Sequence, residues 1–244
     1  MALKTLQYAQ HTFSISYEII NPGAKHTIVF LHGWGSNKEL MKQAFGQTLD
    51  TFRHVYIDLP GFGNSTAPIA LDSENYADIM ELFLAQINAN DKEVIVGHSF
   101  GGKVATLLRP RLLVLLSSAG IVWPKPLKVR AKIAAFKLLK TLGLAQLRSR
   151  FVAEDAKSLN KVMYETFKRV VNEDFSGTFR HFGGRALLCW GREDTATPMK
   201  SAEKINGLIA DSRLVAMEGD HYFFLKQPEA VAAEIAAEIT RSVK

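Results

Sequence analysis

Val94-Ile95-Val96-Gly97-His98-Ser99-Phe100-Gly101-Gly102 is an apolar, β-type run that halts at a Gly-x-Ser-x-Gly and gives way to helix-forming residues. A strand that doubles back into a helix at Ser99 needs small residues two before and two after it, because side chains there would collide where the backbone reverses. Gly97 and Gly101 leave that space. Ser99 would then stand at the carboxyl end of a strand and the amino end of a helix, where unpaired N–H groups and the helix dipole favour developing negative charge. Acyl transfer requires such a place. An ordinary glycine-rich turn has the same pentapeptide, so the surrounding chain decides.

Working outward, short β-branched and aromatic runs end in Gly or Pro clusters at His26 to Leu31 and His54 to Asp58, and Phe13 to Ile20 alternates like a half-exposed strand. Helical spacing of apolar residues marks Lys38 to Thr51 and Ser73 to Asn88, the second with Ser73 as its cap. After Ser99 a short helix ends at Pro110, and Leu112 to Leu116 is a further strand. Arg185 to Trp190 and Arg213 to Met217 read as two more, separated by a helix around Met199 to Ile209, with a last helix from Pro228 to Ser242. Strands alternating with helices predict an α/β fold: a mostly parallel sheet covered on both faces, with two early strands paired antiparallel.

The alternation breaks between Ile121 and His181, where the pattern is helical: a basic segment from Lys125 to Thr141, a break at Gly143, and a second helix from Glu154 to Asn172. This predicts a core domain of residues 1–120 and 182–244 with a helical cap, 121–181, inserted in it. The cap holds thirteen Lys and Arg against five Asp and Glu, while the remainder has seventeen against nineteen, so the net charge of +6 belongs to the insertion. Its basic residues alternate with Ile133, Ala134, Phe136, Leu138 and Leu139, which suits an amphipathic helix better than base stacking and argues against nucleic acid as partner.

Composition excludes several other classes. Apolar residues at 47% and charged residues at 22% are ordinary globular values, not those of a disordered or fibrous chain. The amino terminus lacks the apolar core of a signal peptide, and no window approaches the roughly eighteen apolar residues of a membrane span. The single cysteine, Cys189, sits in an apolar run as a buried thiol and excludes an internal disulfide and a Cys-based metal site. A cytoplasmic protein without integral membrane association is expected. No metal cluster or nucleotide-binding loop is evident, so no cofactor is expected.

In an open parallel sheet, reacting groups gather beyond the carboxyl ends of the strands. Asp194 follows the Arg185 to Trp190 strand within Gly191-Arg192-Glu193-Asp194, and His221 follows the Arg213 to Met217 strand within Glu218-Gly219-Asp220-His221. A neutral serine hydroxyl is a poor nucleophile, so His221 must take its proton and later deliver it to the leaving group. Asp194 would orient the imidazole and stabilise its cation. Glu193, one position early, and Asp220, adjacent to His221, are the weaker candidates for the acid. Oxyanion stabilisation needs two converging N–H donors; Phe100, after the nucleophile, and Trp34, in Leu31-His32-Gly33-Trp34-Gly35, are the candidates. The His32 side chain is read as structural, and Asp58-Leu59-Pro60-Gly61-Phe62-Gly63-Asn64-Ser65 as shaping the same rim.

With these motifs in order, the chain resembles the α/β-hydrolase fold family across nearly its whole length. The resemblance implies an eight-stranded sheet, a helical cap after the sixth strand, and a Ser99, His221, Asp194 triad. Two departures are visible: a short stretch between Gly102 and Leu112, and Gly183-Gly184-Arg185 where the family often has Pro before the strand leading to the acid. Related epoxide hydrolases and haloalkane dehalogenases carry Asp where Ser99 stands, so a serine hydrolase of carboxylic esters is expected, with a small acyl ester as substrate. The His32-Gly33-Trp34-Gly35 loop and cap placement are also similar to the esterases that demethylate pimeloyl groups on acyl carrier protein, which makes an acidic carrier protein a candidate partner for the basic cap. The alternatives are a carbon–carbon bond hydrolase acting on vinylogous diketones and a low-turnover ligand-binding module on the same fold. Trp123, Phe136, Phe151 and Tyr164 are the expected pocket residues from the cap.

Overall fold

The computed structural model of the chain describes residues 1–123 and 161–241. Its strands are β1 (Ala2–Tyr8), β2 (His11–Ile20), β3 (His26–Leu31), β4 (Phe52–Ile57), β5 (Val94–His98), β6 (Leu112–Leu116), β7 (Arg185–Gly191) and β8 (Asp211–Met217). They form one sheet in the order β1-β2-β4-β3-β5-β6-β7-β8. The β1–β2 and β2–β4 pairs are antiparallel, and the other five are parallel. The expected eight-stranded, mostly parallel sheet is therefore present.

Its helices are α1 (Lys38–Phe45), α2 (Ser73–Gln86), α3 (Phe100–Leu107), α4 (Lys161–Val170), α5 (Ser176–Arg180), α6 (Met199–Leu208) and α7 (Pro228–Thr240). Side chains along a strand alternate between faces, and the central strands are apolar on both. In β5, Ile95 packs with α2 and α3 on one face, while Val94 and Val96 pack with α1 and α7 on the other. Each fully buried Leu, Ile or Phe contributes on the order of 1.5–3 kcal/mol, and two covered faces explain why these strands read as unbroken apolar runs.

The structure corrects several boundaries. β1 escapes notice in the sequence because its hairpin to β2 turns at Ala9 and Gln10, with φ of 48° and 63°, without the Asn-Gly that normally signals such a turn. Helix α1 stops at Gly46, and Leu49, at φ 51°, turns the chain into β4. The apolar spacing beyond Gly46 persists because Leu49 still packs on the core from that turn. Asp72, not Ser73, caps α2: its carboxylate accepts from Asn75 N–H at 2.8 Å, and the Asn75 side chain accepts from Asp72 N–H at 3.0 Å.

Of the expected cap, α4 falls within the predicted second helix, and α5 was not foreseen. The basic helix from Lys125 to Thr141, the break at Gly143, and the candidate pocket residues Phe136 and Phe151 lie outside the described residues.

Candidate active site

β5 ends at His98, and Ser99 takes φ 51° and ψ −114° before α3 begins. Such a backbone costs on the order of 1–3 kcal/mol for a residue with a Cβ. It is held by hydrogen bonds: Ser99 N–H donates to Leu116 O at 3.1 Å, and Ser99 O accepts from Gly102 and Ala119 N–H at 3.1 and 3.0 Å. A Cβ on Gly97 would lie 2.5 Å from Gly101 O, and one on Gly101 would strike the carbonyl oxygens of Leu31 and His32. Close backbone approach thus requires both glycines.

The loops after β7 and β8 are laced together. Arg192 N–H donates to Met217 O at 2.8 Å, and Glu193 N–H to Gly219 O at 2.9 Å. This brings the His221 ring to Asp194: Nδ1 lies 2.8 Å from Oδ2, and because a carboxylate only accepts, Nδ1 carries the proton and donates. Nε2 is left as the basic nitrogen. Asp194 also accepts from the N–H groups of Ala196 and Thr197, each at 2.8 Å, and lies 2.8 Å from the Thr197 hydroxyl. Burial pushes this carboxyl up, but the hydrogen bonds from His221 and Thr197 outweigh it and hold the pKa at about 2. Glu193 and Asp220 are both exposed, and Asp220 accepts from Tyr222 N–H instead.

His98 fastens the strand that ends at Ser99 to this pair. Its Nε2–H donates to His221 O at 3.1 Å, and the two rings lie 4.7 Å apart. Burial, reinforced by the neighbouring His221, pulls the His98 pKa down to about 3, so the ring is neutral. His32 is likewise buried and neutral, pulled down to about 4 by burial against the raising effect of its bond to Gly33. Nδ1–H donates to Gly33 O at 2.7 Å, and Nε2 accepts from Leu59 N–H at 3.0 Å, tying two rim loops together. The second of these loops is anchored by Asp58, which accepts from Lys38 Nζ at 2.8 Å and from Asn64 N–H at 3.0 Å.

Ser99 lines a cavity of about 240 Å³ together with Trp34, Phe100, Trp123, Phe167 and Thr197. A Cβ on Gly33 would sit 3.1 Å from Ser99 Cβ, so the Gly33-Trp34 backbone passes directly beside the serine. Trp123 lies in the wall, its Nε1–H donating to Ser201 Oγ at 2.8 Å. Tyr164 is not among the lining residues. The buried stripe of α4 runs through Met163, Thr166 and Val170, and Tyr164 is rotated off it, beneath Lys168 Nζ at 5.0 Å from its ring centroid. Phe167, which the sequence reading did not single out, takes the wall position. No group of three or more His, Cys, Asp or Glu arranged to hold a metal occurs among the described residues.

The profile of the Alpha/beta hydrolase family matches residues 28–234. The chain belongs to that family. Among curated relatives, the pimeloyl-[acyl-carrier protein] methyl ester esterase of Neisseria meningitidis is 27% identical, covering 87% of this chain and 93% of its own. The enzyme of the same name from Vibrio cholerae is 24% identical, over 94% of this chain and 100% of its own. Among solved structures, an esterase from Exiguobacterium antarcticum superposes with a TM-score of 0.73 at 22% identity, covering 97% of this α/β hydrolase and 98% of that chain.

Proposed function

We propose that this α/β hydrolase cleaves carboxylic esters through an acyl-enzyme, with Ser99 as nucleophile, His221 as base and acid, and Asp194 as the group that orients His221. The observation that carries this reading is the 2.8 Å bond from His221 Nδ1 to a buried, ionised Asp194, set in post-strand loops beside the Ser99 turn. His221 Nε2 takes the Ser99 hydroxyl proton as Oγ adds to the ester carbonyl carbon. The oxygen that becomes negative is met by the N–H groups of Trp34 and Phe100. Collapse breaks the carbon–oxygen bond to the alcohol, which leaves with the proton from His221. Water then adds in the same way, giving up one proton to His221, and Ser99 leaves the acid and recovers that proton. The sum is ester plus water to acid plus alcohol. A fluorophosphonate probe tests it: wild-type protein takes up the label at Ser99 and Ser99→Ala does not, whereas an unlabelled Ser99 in folded protein overturns the reading.

Within it, an ester borne on an acidic carrier protein is the proposed natural substrate. The support is the printed name of the Neisseria and Vibrio relatives, together with the eight basic and no acidic residues between Trp123 and Phe151. A cationic segment of this kind speeds encounter with an acidic partner. Reversing Lys128, Arg130 and Lys132 to Glu is expected to lower kcat/KM for a carrier-borne ester about tenfold or more at low salt. Unchanged turnover of that ester would discard the carrier.

A further inference from the structure

The cavity beside Ser99 is lined mostly by apolar residues, with the hydroxyls of Ser118, Thr197 and Ser201 and one charged pair, Lys103 and Glu173. Lys103 lies one helical turn after the nucleophile, on the same side of α3, its Cα displaced about 6 Å along the axis. It is only 2% exposed. Its ammonium donates to Val170 O at 2.8 Å and to Glu173 Oε2 at 2.5 Å, and lies 4.5 Å from the centroid of Phe175. Two of its three hydrogens are thereby placed on oxygens, and among the described residues the third meets only the faces of Phe175 and Phe100. Glu173 Oε2 also accepts from the Ser73 hydroxyl, whereas Oε1 has only the long 3.3 Å contact from Ser73 N–H. Lys103 and Glu173, both in the lining of the pocket, thus keep hydrogen-bonding capacity side by side, with no net charge.

Joining α2, α3 and the end of α4 would need the ion pair but no open space beside it. Here the same pair borders the cavity that holds the nucleophile. Burying a charged pair against a hydrocarbon chain wastes its remaining hydrogen-bonding capacity. A group that both donates and accepts recovers it, whereas a carboxylate would meet Glu173 as a like charge. In an acyl-enzyme the acyl part stays on Ser99 while the alcohol departs, so the mostly apolar cavity beside Ser99 suits the acyl chain.

We infer that Lys103 and Glu173 form a subsite for the far end of the acyl chain, selecting a neutral donor-acceptor terminus such as a hydroxyl or primary amide over a methyl or a carboxylate. The inference rests on the ester-hydrolase reading above, and concerns esters whose acyl chain ends free, not the carrier-borne ester. Its test compares p-nitrophenyl ω-hydroxyalkanoates with unsubstituted alkanoates of equal length, across a chain-length series. At the length that reaches the pair, kcat/KM for the hydroxyl ester is expected to exceed that of the methyl-tipped ester about tenfold. In Lys103→Met/Glu173→Gln that ratio falls to one or below. A wild-type ratio near one at every length overturns the subsite while leaving ester hydrolysis intact, and so does a preference that survives in the folded double variant. Absence of ester turnover and of Ser99 labelling in wild type instead removes the underlying reading, and the subsite with it. Should the double variant not fold, Glu173→Gln alone must lower the ratio at least threefold for the subsite to stand.

Discussion

Asp194 is the buried charge on which His221 depends, and its replacement separates geometry from electrostatics. Asp194→Asn keeps the volume but stabilises the wrong imidazole tautomer, so kcat for a p-nitrophenyl ester is expected to fall by roughly 10⁴ with little change in KM. Gly33→Ala acts from the opposite side. The added methyl would stand 2.9 Å from His98 Nδ1 and 3.1 Å from Ser99 Cβ, and the buried His98 ring has little freedom to yield. A misplacement of about an ångström at the serine is worth up to roughly 100-fold in kcat, measurable with the same ester. Both residues were legible in the sequence, because Gly spacing and post-strand position are local marks. Lys103 with Glu173, and His98 with the His221 carbonyl, were not: they join positions far apart in the chain, and nothing near either partner announces the other. Tyr164 was misplaced for a different reason, since an aromatic residue in a helical segment does not reveal its rotational phase until the buried stripe is known.

At the level of elements, the rim of the site is fixed by helix and loop anchors. Lys38 opens α1 and reaches Asp58 with Nζ at 2.8 Å and with its backbone N–H at 2.7 Å, both side chains being buried. Lys38→Met would leave the Asp58 carboxylate buried without its cation, a loss of roughly 3–5 kcal/mol in urea unfolding. Asp72→Ala, which removes only the cap of α2, is expected to cost about 1 kcal/mol in the same assay. The longer helices were readable from periodicity, but the five-residue α5 and the helix ends were not. Ser73 and Asp72 are both good caps in isolation, and Ser73 is drawn instead to Glu173, a partner 100 residues further along the chain.

For the whole molecule, the order of strands and helices was visible in the alternation of apolar runs, and the β1 hairpin was the strand it concealed. Three buried imidazoles, His32, His54 and His98, are drawn below their ordinary value by burial and weaken the fold in acid. His32 and His98 have pKa values of about 4 and about 3, below the ordinary value of 6.5 from which each was drawn. The unfolded chain therefore binds protons more readily than the folded one as the pH drops. Their contribution to stability is complete above pH 6.5 and is lost progressively as the pH falls through about 4 and about 3. Urea unfolding at a series of pH values should show a plateau above 6.5 and a decline below it, shallower between 6.5 and 4 in His32→Gln. A flat profile down to pH 4 in wild type would contradict the buried neutral rings.

Cys189 lies in β7 between Leu116 of β6 and Val215 of β8, fully buried, and it is the single thiol of the 244-residue chain. Burial also pushes its pKa up to about 12, so the native thiol is neither reachable nor ionised. The sheet has thereby sealed a stopwatch inside itself. With a colorimetric disulfide reagent in dilute amounts, the rate of colour should track how often the sheet opens at β7, one strand in from its β8 edge. At saturating reagent it should level off at the opening rate itself.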